Sequence, residues 1–453
     1  GCPAWTRTMN NASKGHCVTI TPQGKQEIHI ADNPRQTQLF FMNKKTRNRL
    51  LALGCLLVFL ALGSFYYVNW VVQRPFAIIL FLADNLTPSV LTPARNYAGG
   101  ADHRLELEAF PHLALISTHA NDFAISDAAA ASTSIATGHK GNKGMLGIEI
   151  NAQRLPTILD LATRAGRATG IVSNASLTDA TTAAFYARTR DALDYPTLAL
   201  ELAETSTIDV ILGGGAADFL PVSENGRRKD GRNLVRELRD DGFDVVRTES
   251  ELLEIPTWRS PKTFGVFSMN NLNFADEFSS EPGQPSLATM VRKAIQLLQY
   301  NSRGYLLVVD AALAGKAASQ NEAERTLQEI LALDAAVTEA VKYAGLDTII
   351  IVAGKRNVGG LRLNGHPFRN DNGAALLGTN AQGVPSFTWS TGPGSGTRST
   401  PEGPATTEPV ANQTAAGIET VEDAIVVGTG EGTERITGFM DNTELFEILV
   451  KSL

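Results

Sequence analysis

Short apolar runs alternate with helical segments from about residue 76 onward. Each run has the length of one buried strand, and the segments between the runs have the spacing of amphipathic helices. This alternation predicts an α/β fold with βαβ units around a mostly parallel central sheet. The predicted strands are Phe76–Leu82, Thr169–Ser173, Asp209–Leu212, Tyr305–Val309 and Asp347–Val352. The predicted helices are Asp127–Thr137, Leu155–Ala165, Leu287–Tyr300 and Ala323–Tyr343.

The composition excludes several classes of protein. Of the 453 residues, 43% are hydrophobic and 19% are charged, a globular balance that excludes a wholly disordered chain. The net charge of −7 gives no basic excess, so we expect no nucleic-acid partner. The three cysteines are Cys2, Cys17 and Cys55, so the rest of the chain has neither a disulfide nor a cysteine-based zinc site.

One uncharged apolar run, residues 50–72, is long enough to cross a membrane. A helix needs about 20 apolar residues to span a bilayer core. Four basic residues lie between positions 44 and 49, which predicts a cytoplasmic N-terminus and an exported remainder. Two interpretations stay open: an uncleaved signal anchor, and a signal peptide that starts at Met42 and is cleaved near Gly63. Both predict a periplasmic or otherwise extracytoplasmic main domain.

These features divide the chain into three parts. Residues 1–49 are an N-terminal segment, basic at its end, to which no fold or function is assigned. Residues 50–72 are the signal anchor or signal peptide, and residues 73–453 are the main domain. Within that domain, residues 392–413 are rich in Gly, Ser, Thr and Pro, which predicts a flexible surface excursion.

Polar residues follow several of the predicted strands. Asp84 comes after the first strand, Asn174–Asp179 after the second and Asp310 after the fourth, while Gly354–Arg356 follows the last. In a parallel sheet the carboxyl ends of the strands meet at one edge, where ligands bind. The sequence therefore predicts a functional site at this edge.

In order and at comparable spacing, segments from residue 76 to about 450 resemble the alkaline phosphatase family. The resemblance implies a three-layer sandwich around the sheet and the chemistry of a phosphomonoester hydrolase. It also implies a serine nucleophile at a helix N-terminus, two zinc ions, usually a magnesium ion, and an arginine that clamps the phosphate. The matching segments are AIILFLADNLTPS, PHLALISTHANDFAISDAAAASTSIATGHKGNKG, TILDLATRAGRATGIVSNASLTDATTAAFYA, DVILGGGAADF, PSLATMVRKAI, GYLLVVDAALAGKAASQNE, DTIIIVAGKRNVGGL and GFMDNTELFEIL.

The nucleophile motif of the family, Asp-Ser-Ala, corresponds here to Asp127, Ala128 and Ala129. Ala128 has no oxygen that could attack phosphorus. Asp127 is interpreted as a helix N-cap, a role that does not depend on catalysis. The resemblance therefore implies that no catalytic nucleophile is intact.

The two zinc positions are degenerate as well. The resemblance places Gly315, Ser319 and Glu419 at the ligand positions of one site, which leaves one carboxylate where zinc normally needs three protein ligands. At the other site, Lys355 and Arg356 replace an Asp-His pair, and two cations there would repel a divalent ion. We expect no zinc.

The magnesium-like position keeps its oxygen atoms. Asp84, Thr181 and Asp310 match it, and these side chains with water can hold one magnesium ion. The alternative is that Lys355 or Arg356 pairs with Asp84 and fills the place of the metal.

Arg190 matches the phosphate-clamping arginine. Together with Lys355 and Arg356, it would form a metal-free pocket for a phosphate-like or sulfate-like anion. Three functions stay open. The first is an exported pseudoenzyme that serves as a binding or scaffold protein. The second is an active hydrolase with an altered single-metal site, and the third is a structural membrane protein without a ligand. The sequence does not identify a protein partner.

Overall fold

The computed structural model of the chain divides into two units, Gly1–Gln73 and Arg74–Leu453. The residues that it describes are 17–20, 26–29, 43–66, 77–205, 207–258, 262–278, 283–364, 385–394, 399–400, 403–404 and 408–453.

The N-terminal unit contains an antiparallel strand pair, Cys17–Ile20 with Gln26–His29, and the helix Lys44–Tyr66 (α1). The segment Lys44–Phe65 is long and apolar enough to cross a membrane, and none of its most apolar window is buried. The helix begins upstream of the predicted run because lysine and arginine are themselves good helix formers. Residues 67–72 of the predicted span lie outside the described residues.

Eleven strands form the central sheet of the second unit. They are Ala77–Asp84 (β1), His112–Ser117 (β2), Ala168–Ser176 (β3), Val210–Gly214 (β4), Asp244–Val246 (β5), Thr263–Val266 (β6), Tyr305–Ala311 (β7), Thr348–Val358 (β8), Glu419–Thr420 (β9), Ala424–Thr429 (β10) and Thr437–Asp441 (β11). Their order is β11-β2-β10-β8-β1-β7-β3-β4-β6-β5, with β9 paired to β8. Only β9 and β10 run antiparallel to their neighbours, so the prediction of a mostly parallel sheet is confirmed.

Helices cover both faces of this sheet and are numbered in chain order after α1. They are Pro88–Gly99 (α2), Ala128–Thr137 (α3), Ile158–Arg164 (α4), Ala180–Ala183 (α5), Tyr195–Thr205 (α6), Ala216–Phe219 (α7), Leu234–Asp240 (α8), Glu249–Glu254 (α9), Leu287–Leu298 (α10), Leu313–Ser319 (α11), Ala323–Tyr343 (α12) and Glu444–Ser452 (α13). Short 3-10 turns lie at Glu106–Ala109, Val222–Glu224, Ala275–Glu277 and Thr433–Arg435. The helix predicted at Leu155 begins instead at Ile158, because Thr157 and Asp160 form a capping box there.

Two hydrophobic cores lie on opposite faces of the sheet, as the side-chain alternation of β1 shows. Ile79 and Phe81 pack into the core shared with α10 and α12, whereas Ile78 and Leu80 pack into the core shared with α3 and α4. Because successive residues of a strand point to opposite faces, a strand buried on both sides reads as one continuous apolar run. This arrangement is the predicted three-layer sandwich.

A smaller sheet joins Leu361–Leu363, Phe387–Gly392 and Val410–Gln413. The predicted excursion at 392–413 thus ends in a strand, which the Gly, Ser, Thr and Pro content did not indicate. Ser399–Thr400 and Gly403–Pro404 pair within it, and residues 395–398, 401–402 and 405–407 lie outside the described residues.

Candidate functional site

The carboxyl ends of β1, β7 and β8 meet at one edge of the sheet, where the sequence predicts the site. Asp84 is the last residue of β1, and Asp310 lies near the end of β7. Arg356 pairs with Asp84 across β8 and β1, and the register of these strands shifts between Gly354 and Arg356. Lys355 is therefore an extra residue in β8, and such a bulge redirects a side chain.

Asn85 fixes the end of β8 beside this edge. Its backbone has a φ of 59°, in the left-handed region that asparagine tolerates better than most residues. Its N–H donates to the carbonyl of Arg356, at 2.8 Å. Its side-chain amide donates to the carbonyl of Val358 and accepts from the N–H of the same residue. These bonds hold the backbone on either side of Arg356.

The ammonium group of Lys355 lies among three oxygen atoms. Its Nζ is 2.7 Å from Thr181 Oγ1, 2.8 Å from Asp310 Oδ1 and 3.3 Å from Asp84 Oδ1. All four residues have 0% of their surface exposed. These are the three residues that the resemblance assigned to magnesium. They do not fit a metal ion in this chain, because the ammonium group already fills the space between their oxygen atoms.

The guanidinium group of Arg356 joins two further carboxylates. Its Nε and Nη2 lie 2.9 and 3.0 Å from the two oxygens of Asp84, and its Nη1 lies 2.9 Å from Glu419 Oε1. Two parallel N–H···O bonds to one carboxylate are the strong geometry of arginine. Both predicted cations thus pair with Asp84, which is the alternative to a metal that the sequence left open.

The remaining zinc-like positions offer no ligand. A Cβ atom added to Gly315 would lie 2.3 Å from Asp84 Oδ2, so glycine lets α11 approach this carboxylate closely. Ser319 donates its hydroxyl to the carbonyl of Lys316, at 2.7 Å. Among the residues that the structure describes, no group of three or more His, Cys, Asp or Glu side chains is placed to hold a metal ion.

A second ion pair adjoins the cluster and was missed in the sequence. Lys316 Nζ lies 2.7 Å from Asp179 Oδ2. Asp179 also caps α5, the short helix that carries Thr181. Ser173 donates to Asp310 Oδ2 at 2.9 Å and so occupies the second oxygen of that carboxylate. Lys316 directly follows Gly315, one turn beyond β7. This position in the sequence could have indicated the ion pair with Asp179.

Burial and charge oppose each other in the cluster. Burial alone raises the pKa of each carboxyl. At Asp84 the charges of Arg356 and Lys355 outweigh burial and hold the pKa below its ordinary value. At Asp179 the charges of Lys316 and Lys355 likewise lower the pKa. At Asp310 burial prevails over the attraction of Lys355, so its pKa is raised. Asp84 and Asp179 are therefore the firmly ionised members.

At the nucleophile position, Asp127 is the N-cap of α3, as predicted. Its Oδ1 accepts from the N–H of Ala130 and its Oδ2 from the N–H of Gly144, both at 2.8 Å. Ala128 begins the helix and is 7% exposed. The neighbouring hydroxyl of Ser126 donates to the carbonyl of Asp127, so it is engaged with the backbone.

The three predicted anion-binding cations do not form one open pocket. Lys355 is fully buried among oxygens, and Arg190 is exposed, with Nη2 donating to the carbonyl of Ile150 at 3.0 Å. Only Arg356 lines the cavity that adjoins the cluster. The carboxylates of Asp84 and Asp310 engage Lys355 and Arg356, and anion binding by these cations stays a prediction.

The central sheet, with the candidate site at its carboxyl edge, has the fold of alkaline phosphatases. The family model "Alkaline phosphatase" matches residues 77–453, and the chain belongs to this family.

Known relatives agree with this assignment. The chain is 31% identical to alkaline phosphatase of Escherichia coli over 323 residues, which cover 61% of this chain and 68% of that protein. It is 27% identical over 350 residues to membrane-bound alkaline phosphatase of Bombyx mori, covering 67% of this chain and 63% of that protein. The chain thus spans less than two thirds of the silkworm protein's length.

Solved structures share the fold. The alkaline phosphatase of Thermus thermophilus superposes with a TM-score of 0.68 at 22% identity, over 84% of this chain and 92% of that one. The alkaline phosphatase of the Antarctic bacterium TAB5 superposes with a TM-score of 0.66 at 20% identity, over 84% of this chain and 98% of that one.

Proposed function

We propose that this chain is an exported member of the alkaline phosphatase family that lacks phosphatase activity and serves as a binding or scaffold protein. The observation that carries the proposal is the position of the Lys355 ammonium group among the oxygens of Asp84, Asp310 and Thr181. A buried amine held by three oxygens would have to be displaced before a metal ion could enter.

The loss of the nucleophile supports the same conclusion. Covalent phosphoryl transfer needs a nucleophile and groups that stabilise the developing charge. Ala128 supplies no nucleophile, and Arg356 is already bound to Asp84 and Glu419. The competing function is a hydrolase with one altered metal site, which family membership and the three remaining oxygen ligands favour.

A phosphatase assay on the purified full-length chain tests the proposal. We expect no turnover of p-nitrophenyl phosphate above background, with or without added zinc and magnesium. An active phosphatase of the family, assayed in parallel, is the control. Turnover of about 1 per second or more, a typical enzymatic rate, would establish the competing function.

Export is part of the proposal and has its own test. The helix α1 and the basic residues at its start favour an extracytoplasmic main unit, either anchored or released by cleavage. Protease added to spheroplasts that express the full chain should digest residues beyond 72. A cytoplasmic protein expressed in the same cells is the control. Complete protection of both proteins would reverse the topology.

A further inference from the structure

The amine of Lys355 and the carboxyl group of Asp310 meet in a fully buried site. Nζ of Lys355 lies 2.8 Å from Oδ1 of Asp310, and neither side chain has any exposed surface. Because Cγ of Asp310 is bonded to Oδ1, it lies no more than about 4 Å from the amine, and reacting atoms are held about 3–3.5 Å apart in near-attack geometry. A nitrogen nucleophile and a carboxyl carbon therefore lie side by side.

Burial favours a reaction between these two groups. Desolvation disfavours a charged ammonium and a charged carboxylate, and the neutral amine is the form that attacks a carbon atom. Exclusion of solvent also protects an amide from hydrolysis once it has formed. The buried pair thus has the environment that condensation requires.

Asp84 is placed to move protons during such a reaction. Its Oδ1 lies 3.3 Å from Nζ of Lys355, close to hydrogen-bond reach, and its side chain is also fully buried. Arg356 binds both oxygens of Asp84, at 2.9 and 3.0 Å, and so fixes the orientation of this carboxylate. A carboxylate held beside an amine can accept its proton as a general base.

Two hydroxyl groups orient the reactants. Thr181 Oγ1 accepts a hydrogen bond from Nζ of Lys355 at 2.7 Å. Ser173 donates its hydroxyl to Oδ2 of Asp310 at 2.9 Å. When an amine adds to a carboxyl carbon, negative charge develops on this oxygen, and a donor already in place stabilises it.

We propose that Lys355 and Asp310 form an intramolecular amide bond, with Asp84 as the general base. The Nζ–Cγ bond forms, the Cγ–Oδ1 bond breaks, and Oδ1 leaves as water. Both protons of this water come from the ammonium group of Lys355 by way of Asp84, and the third proton stays on the amide nitrogen. The step changes no oxidation state and needs no co-reactant. The amide joins β7 to β8 across β1, which lies between them.

The neighbouring ion pair of Lys316 and Asp179 is a matched contrast. Its Nζ···Oδ2 distance of 2.7 Å is as short, but 35% and 13% of the two side chains are exposed. A solvated ammonium group keeps its proton and its charge, and is not a nucleophile. We therefore expect no amide at this pair, although its groups are equally close.

Peptide mapping of the folded full-length chain by mass spectrometry tests the proposal. Trypsin cleaves after Arg303, Lys316, Lys342 and Arg356. The amide should yield a branched peptide in which residues 304–316 are joined to residues 343–356. Its mass should be one water below the sum of the two peptides, and cleavage after Lys355 should be lost.

Two lysine-to-arginine variants provide the matched controls. Lys355→Arg keeps the positive charge but removes the amine, so the branched peptide should disappear. Lys316→Arg makes the same change at the exposed pair, so the branched peptide should remain. In Asp84→Asn the base is lost, and the linked fraction should be lower than in the parent at equal times after synthesis.

Separate peptides in the parent, with full cleavage after Lys355, would overturn the proposal. A branched peptide that contains Asp84 in place of Asp310, or a loss of water that maps to any other peptide, would overturn it as well. An equal linked fraction in Asp84→Asn would overturn the role of Asp84. The proposal does not rest on the loss of phosphatase activity. The p-nitrophenyl phosphate assay on the same samples reports on that function separately.

Discussion

The ammonium nitrogen of Lys355 lies 2.8 Å from Oδ1 of Asp310, and both side chains are completely buried. Removing two charges from water costs several kcal/mol per ion, and only good geometry and further hydrogen bonds offset this cost. Lys355 donates a further hydrogen bond to Thr181, Ser173 donates one to Asp310, and the ion pairs of Asp84 add to them. The cluster ties β1, β7 and β8 together.

Removing both cations should destabilise the fold strongly. The double variant Lys355→Ala, Arg356→Ala leaves Asp84 buried without a partner, and breaking a buried pair typically costs roughly 3–5 kcal/mol. Urea unfolding should show that the free energy of unfolding falls by an amount of this order. Adding Asp84→Asn should restore part of it, because the unpaired charge is then gone. An unchanged midpoint in the double variant would mean that the ion pairs contribute nothing to stability.

Removing only the ammonium group should make stability depend on magnesium. In Lys355→Ala, the oxygens of Asp84, Asp310 and Thr181 face an empty space, and magnesium prefers such ligands. We expect millimolar Mg²⁺ to raise the melting temperature of this variant by several degrees, through preferential binding to the folded state. The parent should respond neither to Mg²⁺ nor to EDTA.

The control for this experiment is Lys293→Ala. Lys293 is also buried, but its Nζ donates to the carbonyls of Leu253 and Ile255. This variant should lose stability without recovery in Mg²⁺. Equal recovery of both variants would show a general salt effect and contradict a specific cation position.

Restoring the nucleophile alone should not restore catalysis. In Ala128→Ser a hydroxyl is added at the first residue of α3, but Lys355 and Arg356 remain paired with Asp310 and Asp84. An unactivated hydroxyl is a weak nucleophile. We expect the p-nitrophenyl phosphate assay to give the rate of the parent. Robust turnover by this single variant would mean that the ion pairs do not block metal binding.

Acid should destabilise the fold through Asp179. Its pKa lies below the ordinary value of 3.8 because Lys316 and Lys355 favour its charged form over the opposing effect of burial. A carboxyl with a lowered pKa stabilises the fold above the unfolded value, and this contribution is lost as the pH falls through the folded pKa. Urea unfolding measured from pH 6 to pH 3 should show that the free energy of unfolding declines with falling pH. The decline should be shallower in Asp179→Asn than in the parent.

Asp102→Asn, at an exposed carboxylate, is the control for the acid experiment. In this variant the free energy of unfolding should fall with pH as steeply as in the parent. If the free energy of unfolding falls equally steeply with pH in the parent and in both variants, Asp179 does not contribute to the acid destabilisation.

Much of the fold could be predicted from local pattern. The predicted strands β1, β3, β4, β7 and β8 lie inside the sheet and are buried on both faces, so each is a continuous apolar run. Some of the strands that were missed lack this signal, although β10 has it, with the apolar and buried run 424–427. In β2, exposed and buried residues alternate, β5 has three residues and β9 has two. Pairing with neighbours distant in sequence, rather than their own residues, makes them strands.

The sequence by itself determined the α/β class and the helix N-cap at Asp127, since each depends on residues close together in the chain. Only the tertiary structure decided which charges pair. Asp84 and Arg356 are 272 positions apart, and the bulge at Lys355 decides where its ammonium group lies. The Coulomb energy of a buried ion depends on distances of a few ångströms, and these are set by register and packing.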